Sequence, residues 1–249
     1  MIFTSPYQSV DIPADVTLTD FVFARVQEFA DKPAIIDGPS GRKLTYGQLY
    51  GAIRGAAAGL AQRGFSKGDV FAIYLPNLPE YAVAFHAVAM LGGVNTTINP
   101  LYTADELAKQ LNDSQAKYLL TIPMFMDKAQ EAVAKSGVEE IFVLGEAEGA
   151  TPFASLIQPG GDVPAVEINP KEDLIVLPYS SGTTGLPKGV MLTHYNLVAN
   201  LRQIEDIEQF DHTANLIAIL PFFHIYGMIV IMSLGLVKGA TLVSMPRFD

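Results

Sequence analysis

The chain has 249 residues, of which 49% are hydrophobic and 17% charged, with a formal net charge of −10 and no cysteine. This composition supports a sizeable core and excludes a disordered chain, and the negative field argues against nucleic acid as a partner. The absence of cysteine excludes disulfides, thiolate metal sites and a cysteine nucleophile, and fits a reducing, cytoplasmic setting.

The N-terminal stretch MIFTSPYQSV has neither the basic segment nor the apolar core of a secretory signal. Thr17 then opens a helix over LTDFVFARVQEFA, with Asp20 three residues on. PAIIDG reads as a strand, and DGPSGRKLTY as a hairpin turn. Thr45 and Gln48 form a capping box that starts the next helix. DVFAIYL is a strand, and YAVAFHAVAML a helix in which His86, among apolar neighbours, is a core or interface residue. GGVNTTI is a further strand, and Thr103 with Glu106 caps ADELAKQLNDS. KYLLTI and EIFVLG follow as strands.

Residues 146–171, rich in Gly, Pro and Glu, read as a linker between a first sub-lobe over 1–145 and a second over 172–249. The second begins with the strand DLIVLPYS and the loop after it. His194 opens the helix beyond that loop, and Asp211 with His212 makes a surface turn. From Ala214 to Val237 the chain is apolar for long enough to span a membrane, but Pro221 and His224 interrupt it. NLIAILP therefore reads as a buried strand followed by a buried helix, and ATLVSM as the last strand. Strands apolar on both faces and alternating with helices imply an α/β fold of mostly parallel sheet, doubly wound. No helix follows the last strand to cover it. The second sub-lobe is therefore expected to be truncated, with an open sheet edge through which the chain self-associates.

The loop after DLIVLPYS carries the chemistry. Ser180, Ser181, Thr183 and Thr184 offer hydroxyls, Gly182, Gly185 and Gly189 allow close backbone approach, and Lys188 adds a cation stiffened by Pro187. Hydroxyls, backbone N–H groups and an ammonium are what a phosphate chain requires. The spacing excludes a Walker loop, because Pro187 precedes the lysine and Gly189 follows it, and Gly-x-Gly-x-x-Gly is absent here too. No His, Asp or Glu spacing meets a metal-site pattern.

The stretch YSSGTTGLPKGVMLTHYNL resembles the phosphate loop of the acyl-adenylate-forming superfamily. LTYGQL, MLGGVNTTINPLYTADEL and LPFFHIYGM resemble further segments of that family, in the same order. The likeness covers nearly the whole chain and is nearest to the branch of 4-coumarate and fatty-acyl–CoA ligases. It implies the incomplete N-terminal domain of an enzyme that joins a carboxylic acid to AMP, releases pyrophosphate, and passes the acyl group to CoA. It implies that Ser180, Ser181, Gly182, Thr183, Thr184, Gly185 and Lys188 hold the ATP phosphates. By the same likeness His224 lies near the phosphates and the acyl carboxylate, and Tyr226 and Val230 line the acyl pocket from one helix face. Val230 is apolar where hydroxycinnamate-specific members carry a small polar residue, so an aliphatic acid fits at least as well. Arg247 matches a basic position near the CoA nucleotide, with a solvated surface arginine as the alternative.

The family's Tyr-Gly-x-Thr-Glu motif for adenine and Mg²⁺, its ribose-binding Asp, its hinge and its C-terminal catalytic lysine have no counterpart in residues 1–249. The Mg²⁺ ligand is accordingly expected outside these residues, and the 249 residues alone are expected not to complete the reaction. A luciferase-like oxygenase, a carrier-protein-loading domain and a non-catalytic nucleotide- or acyl-binding module stay open.

Overall fold

The computed structural model of the chain describes residues 6–158, 160–180 and 187–245. Thr17 caps α1 (Leu18–Phe23), its side chain accepting from the Asp20 amide. The helix ends earlier than LTDFVFARVQEFA implies. The amides of Val26, Glu28 and Phe29 bond to carbonyls three residues back, the tighter winding of helix ends. That winding sets Phe29 against Tyr46, 5.7 Å between ring centroids. β1 (Pro33–Asp37) and β2 (Lys43–Thr45) make the expected antiparallel hairpin. The Thr45–Gln48 capping box opens α2 (Tyr46–Gln62).

A run of parallel strands and helices follows: β3 (Val70–Ile73), α3 (Pro79–Met90), β4 (Val94–Thr97), α4 (Ala104–Asp113), β5 (Ala116–Thr121), α5 (Met126–Val133), β6 (Glu140–Val143) and β7 (Thr151–Pro152). The Thr103–Glu106 box caps α4 as expected. β8 (Leu174–Ser180), β9 (Lys188–Gly189) and β10 (Leu192–Thr193) precede α6 (His194–Glu205), which a Thr193–Asn196 box caps. The chain continues through β11 (Asn215–Ala218), a π-helix over Gly227–Ser233, α7 (Leu234–Val237) and β12 (Thr241–Ser244).

These strands form two sheets. The large one runs β10-β8-β4-β3-β5-β6-β7, with β9 also paired to β8, and the small one runs β11-β12-β1-β2. β3 to β8 are mutually parallel across the large sheet, as are β11, β12 and β1 in the small one. This is the α/β architecture of helix-flanked, mostly parallel sheets. Its sheets do not follow the division expected at residues 146–171. Each takes strands from both sides of that stretch, so 1–145 and 172–249 do not form separate sheets. The cause is non-local parallel pairing, β1 with β12 and β4 with β8.

Alternation along the strands feeds two cores. Phe71 and Ile73 point into the main cluster with Leu60, Tyr81 and Val88; Ala72 and Tyr74 point into a second with Leu107, Leu111 and Leu119. The helix α3 touches β3 and β4 of the large sheet and β1 of the small one. A helix between two sheets must be apolar all round, which accounts for YAVAFHAVAM. Each large side chain so buried stabilises the fold by roughly 1.5–3 kcal/mol. The small sheet is less covered. Ile35 and Leu242 are buried on its inner face, whereas Ile36 and Val243 are half-buried and Ile217 is 65% exposed, in register on the outer one. Among the described residues, no helix is long and apolar enough to cross a membrane.

Candidate active site

In an open parallel sheet, loops at the carboxyl ends of the strands converge on one edge, where ligands bind. Here β8 and β4 are neighbours, with Pro178 opposite Thr97. Two residues beyond Pro178 the chain leaves the sheet at Ser180 and returns as β9, with Ser180 opposite Lys188 and Tyr179 opposite Gly189. The Tyr179 ring lies over Gly189, where a Cβ would sit a tight 3.2 Å from it. The Tyr179 hydroxyl donates to Asp113 Oδ2 at 2.5 Å, tying the hairpin stem to the end of α4. Burial, then that carboxylate, raise the phenol above its ordinary pKa. Ser180 and Lys188 are both exposed at the root of the loop. Ser181, Gly182, Thr183, Thr184 and Gly185 lie outside the described residues, as does Arg247.

The His224 turn is seated on the same edge. Thr97 Oγ1 donates to the Phe223 carbonyl at 2.8 Å. Asn77, in the loop after β3 and only 5% exposed, donates to the carbonyls of Ala218 and Leu220 at 2.8 and 2.9 Å and accepts from the Phe222 amide at 2.7 Å. Phe222 packs edge-on against Tyr81, 5.7 Å between centroids. A Cβ on Gly227 would stand 2.1 Å from the Pro221 carbonyl oxygen, so only glycine lets the helix start that close to the turn. His224 itself is exposed. Its Nδ1 accepts from the Tyr226 amide at 3.3 Å, which in the neutral ring leaves the proton on Nε2. The turn thus presents an N–H donor beside the root of the hydroxyl-rich loop.

Tyr226 is 48% exposed and Val230 half-buried. Both were expected on one α-helical face. The segment from Gly227 to Ser233 is instead π-helical, and Ser233 Oγ donates to the carbonyl of Met228 at 2.8 Å. The wider winding removes the i, i+4 argument, although such segments are frequent at functional sites.

The other histidines take structural places. His86 is fully buried, its Nδ1 3.0 Å from Thr19 Oγ1 and its ring edge-on to Phe23. Burial, and secondarily the nearby His194, bring its pKa down to about 3. His194, also fully buried, accepts from the Leu18 amide at 3.2 Å, and burial brings its pKa down to about 4. His212 stacks on Phe29 at 5.9 Å. A surface concavity of about 620 Å³ is lined by Glu205, Asp206, Glu208, Asp211 and Lys238 among others. Its acidic lining does not suit a phosphate chain.

Sequence reading missed Asn77 and Thr97. The signal was an uncharged polar residue at or shortly beyond the carboxyl end of a buried strand, where loops carry function. Nothing local indicated what the side chain would reach.

A family model described as AMP-binding enzyme matches residues 22–249. A 4-coumarate–CoA ligase of Oryza sativa subsp. japonica is 38% identical over 253 residues, covering 100% of this chain and 46% of the relative. A 4-coumarate–CoA ligase of Arabidopsis thaliana is 37% identical over 262 residues, with the same shares of 100% and 46%. The chain therefore spans about half the length of the curated relatives it matches. A solved long-chain-fatty-acid–CoA ligase from Archaeoglobus fulgidus superposes with a TM-score of 0.90 at 29% identity, covering 99% of this chain and 50% of that one.

Proposed function

Because the chain belongs to the AMP-binding enzyme family, we propose that it is the N-terminal part of an ATP-dependent acyl-CoA ligase. A carboxylate oxygen of a small acid attacks the α-phosphorus of ATP. The bond from that phosphorus to the bridging oxygen breaks, and pyrophosphate leaves with the electron pair. The CoA thiol, giving up its proton, then attacks the acyl carbon, and AMP departs.

The loop residues and His224 act on charge that builds up during the first step. The Lys188 ammonium, the hydroxyls of Ser180, Ser181, Thr183 and Thr184 and the backbone at Gly182 and Gly185 hold the leaving phosphates. His224 donates from Nε2 to an oxygen of the α-phosphate or the acyl carboxylate. Tyr226 and Val230 border the acyl chain, and Arg247 meets the CoA nucleotide. The Mg²⁺ ligand is proposed to lie elsewhere in the enzyme, in the family motif that has no counterpart in residues 1–249. The relatives are named for 4-coumarate and for long-chain fatty acids. The apolar Val230 suits an aliphatic acid at least as well as a hydroxycinnamate, and a role in fatty-acid metabolism is the reading proposed with it; a cytoplasmic setting is proposed separately, from the cysteine-free composition.

The observation that carries this reading is the seating of the His224 turn on Thr97, directly beside the strand from which the hydroxyl-rich loop rises. It is tested by acid-dependent exchange of pyrophosphate with ATP in a full-length ligase containing this chain. Lys188→Ala is expected to slow exchange by about 100-fold, the size of losing one donor to transition-state charge. Unchanged kinetics would remove Lys188 from the phosphate role. The 249 residues alone are expected to show negligible exchange. They are also expected to self-associate through the β11 edge and the exposed Ile217 and Ile219. A monodisperse monomer by light scattering would contradict that.

A further inference from the structure

By sequence, the His224 turn is the continuation of β11, an edge strand of the small sheet. The phosphate hairpin belongs to the large sheet. The distance between histidine and phosphates is therefore not set by either element's own strand pairing; it depends on contacts that cross from one sheet to the other.

Four such contacts converge on six residues. Asn77 Nδ2 donates to the carbonyls of Ala218 and Leu220, Asn77 Oδ1 accepts from the Phe222 amide, and Thr97 Oγ1 donates to the Phe223 carbonyl. All four end within the stretch that precedes His224; Thr97 ends β4, and Asn77 lies in the loop that follows the neighbouring β3. A carboxamide supplies two donors and an acceptor in one plane, and here all three functions are used. A buried group so fully satisfied rigidifies what it holds, and leaving its partners unmatched is costly.

We propose that Asn77, assisted by Thr97, is a positioning residue that sets His224 against the phosphate hairpin. Asn77 does not touch substrate; it holds the backbone that carries the histidine. The inference rests on the proposed role of His224. Asn77→Asp is the sharpest variant, because it keeps the shape, removes both donors and sets a carboxylate against two carbonyl oxygens.

The test has two arms. In the 249-residue chain, Asn77→Asp keeps an acceptor for the Phe222 amide but loses both bonds to the Ala218 and Leu220 carbonyls; the stretch is expected to open more often, raising hydrogen exchange at the Phe222 amide by at least about tenfold. The Tyr74 and Ile98 amides, which bond along the large sheet, are expected to hold their protection. In the full-length ligase the same variant is expected to lower kcat for adenylate formation by about tenfold or more with the KM for ATP little changed, because the phosphate hairpin is intact. Thr97→Val removes a single bond and is expected to act in the same direction more weakly, which keeps the test open if Asn77→Asp does not fold. Unchanged exchange at Phe222, or kcat and KM moving together with a general loss of protection, would overturn the proposal. If exchange rises at Phe222 while His224→Ala leaves turnover unchanged, positioning of the turn stands and the role of the histidine in the reaction falls.

Discussion

Two regions of this molecule treat histidine in opposite ways. Between the sheets, His86 and His194 are wholly buried, each bonded through Nδ1 to α1, one to a side chain and the other to a backbone amide. At the carboxyl edge of the large sheet, His224 is exposed on a turn whose backbone is held by Asn77 and Thr97. In the first region protein structure uses the imidazole. In the second, structure is spent on the backbone and the ring is left for something else. The two buried rings are themselves bonded into the fold, whereas His224 is exposed above a backbone that other side chains hold, the arrangement on which its proposed role rests.

Acid should break the first region and show the largest effect. The folded pKa values of about 3 for His86 and about 4 for His194 lie below the value near 6.5 of an unfolded chain. Between those values the unfolded chain binds protons that the folded one does not. Stability is then complete above about pH 6.5 and is lost as pH falls, on the order of 3 kcal/mol for each histidine by pH 4. Asp20 and Asp173, whose charges favour protonated His194, moderate the loss without reversing it. Urea midpoints at pH 7.5 and 4.5 would check this, and equal midpoints would contradict it.

At the other extreme, His224→Ala should leave the urea midpoint at pH 7.5 nearly unchanged, within about 0.5 kcal/mol, as for exposed side chains generally. The same change should abolish most acid-dependent exchange in the full-length ligase. A large loss of stability would move His224 into the structural class with the other two and dissolve the contrast.

What was legible in the sequence follows a physical line. PAIIDG, DVFAIYL, KYLLTI and DLIVLPYS are strands because their apolar runs declare themselves locally, and the Thr45 and Thr103 boxes lie within four residues of chain. Asn77 reaches carbonyls 141 and 143 residues away, and no local pattern announces such partners. Strand pairing across residues 146–171 was hidden for the same reason: the composition of a stretch says nothing about which strands pair across it. The early end of α1 and the π-helix over Gly227–Ser233 reflect packing that overrides a 3.6-residue period. For the hydroxyl-rich loop, residue types suggested a phosphate ligand; the neighbourhood of His224 was implied by the family resemblance alone, and its physical basis, β4 lying beside β8, is not written in the local sequence.

The loop root and the His224 turn are proposed to form one ATP site on the edge of the large sheet. Titrating ATP into the isotopically labelled 249-residue chain and following backbone amide shifts tests it most directly. Shifts are expected at Ser180, Lys188 and Gly189, and together with them at Phe223 and His224, with His86 and the acidic concavity around Asp206 and Asp211 silent. Shifts confined to that concavity, or movement at the hairpin without any at His224, would contradict it.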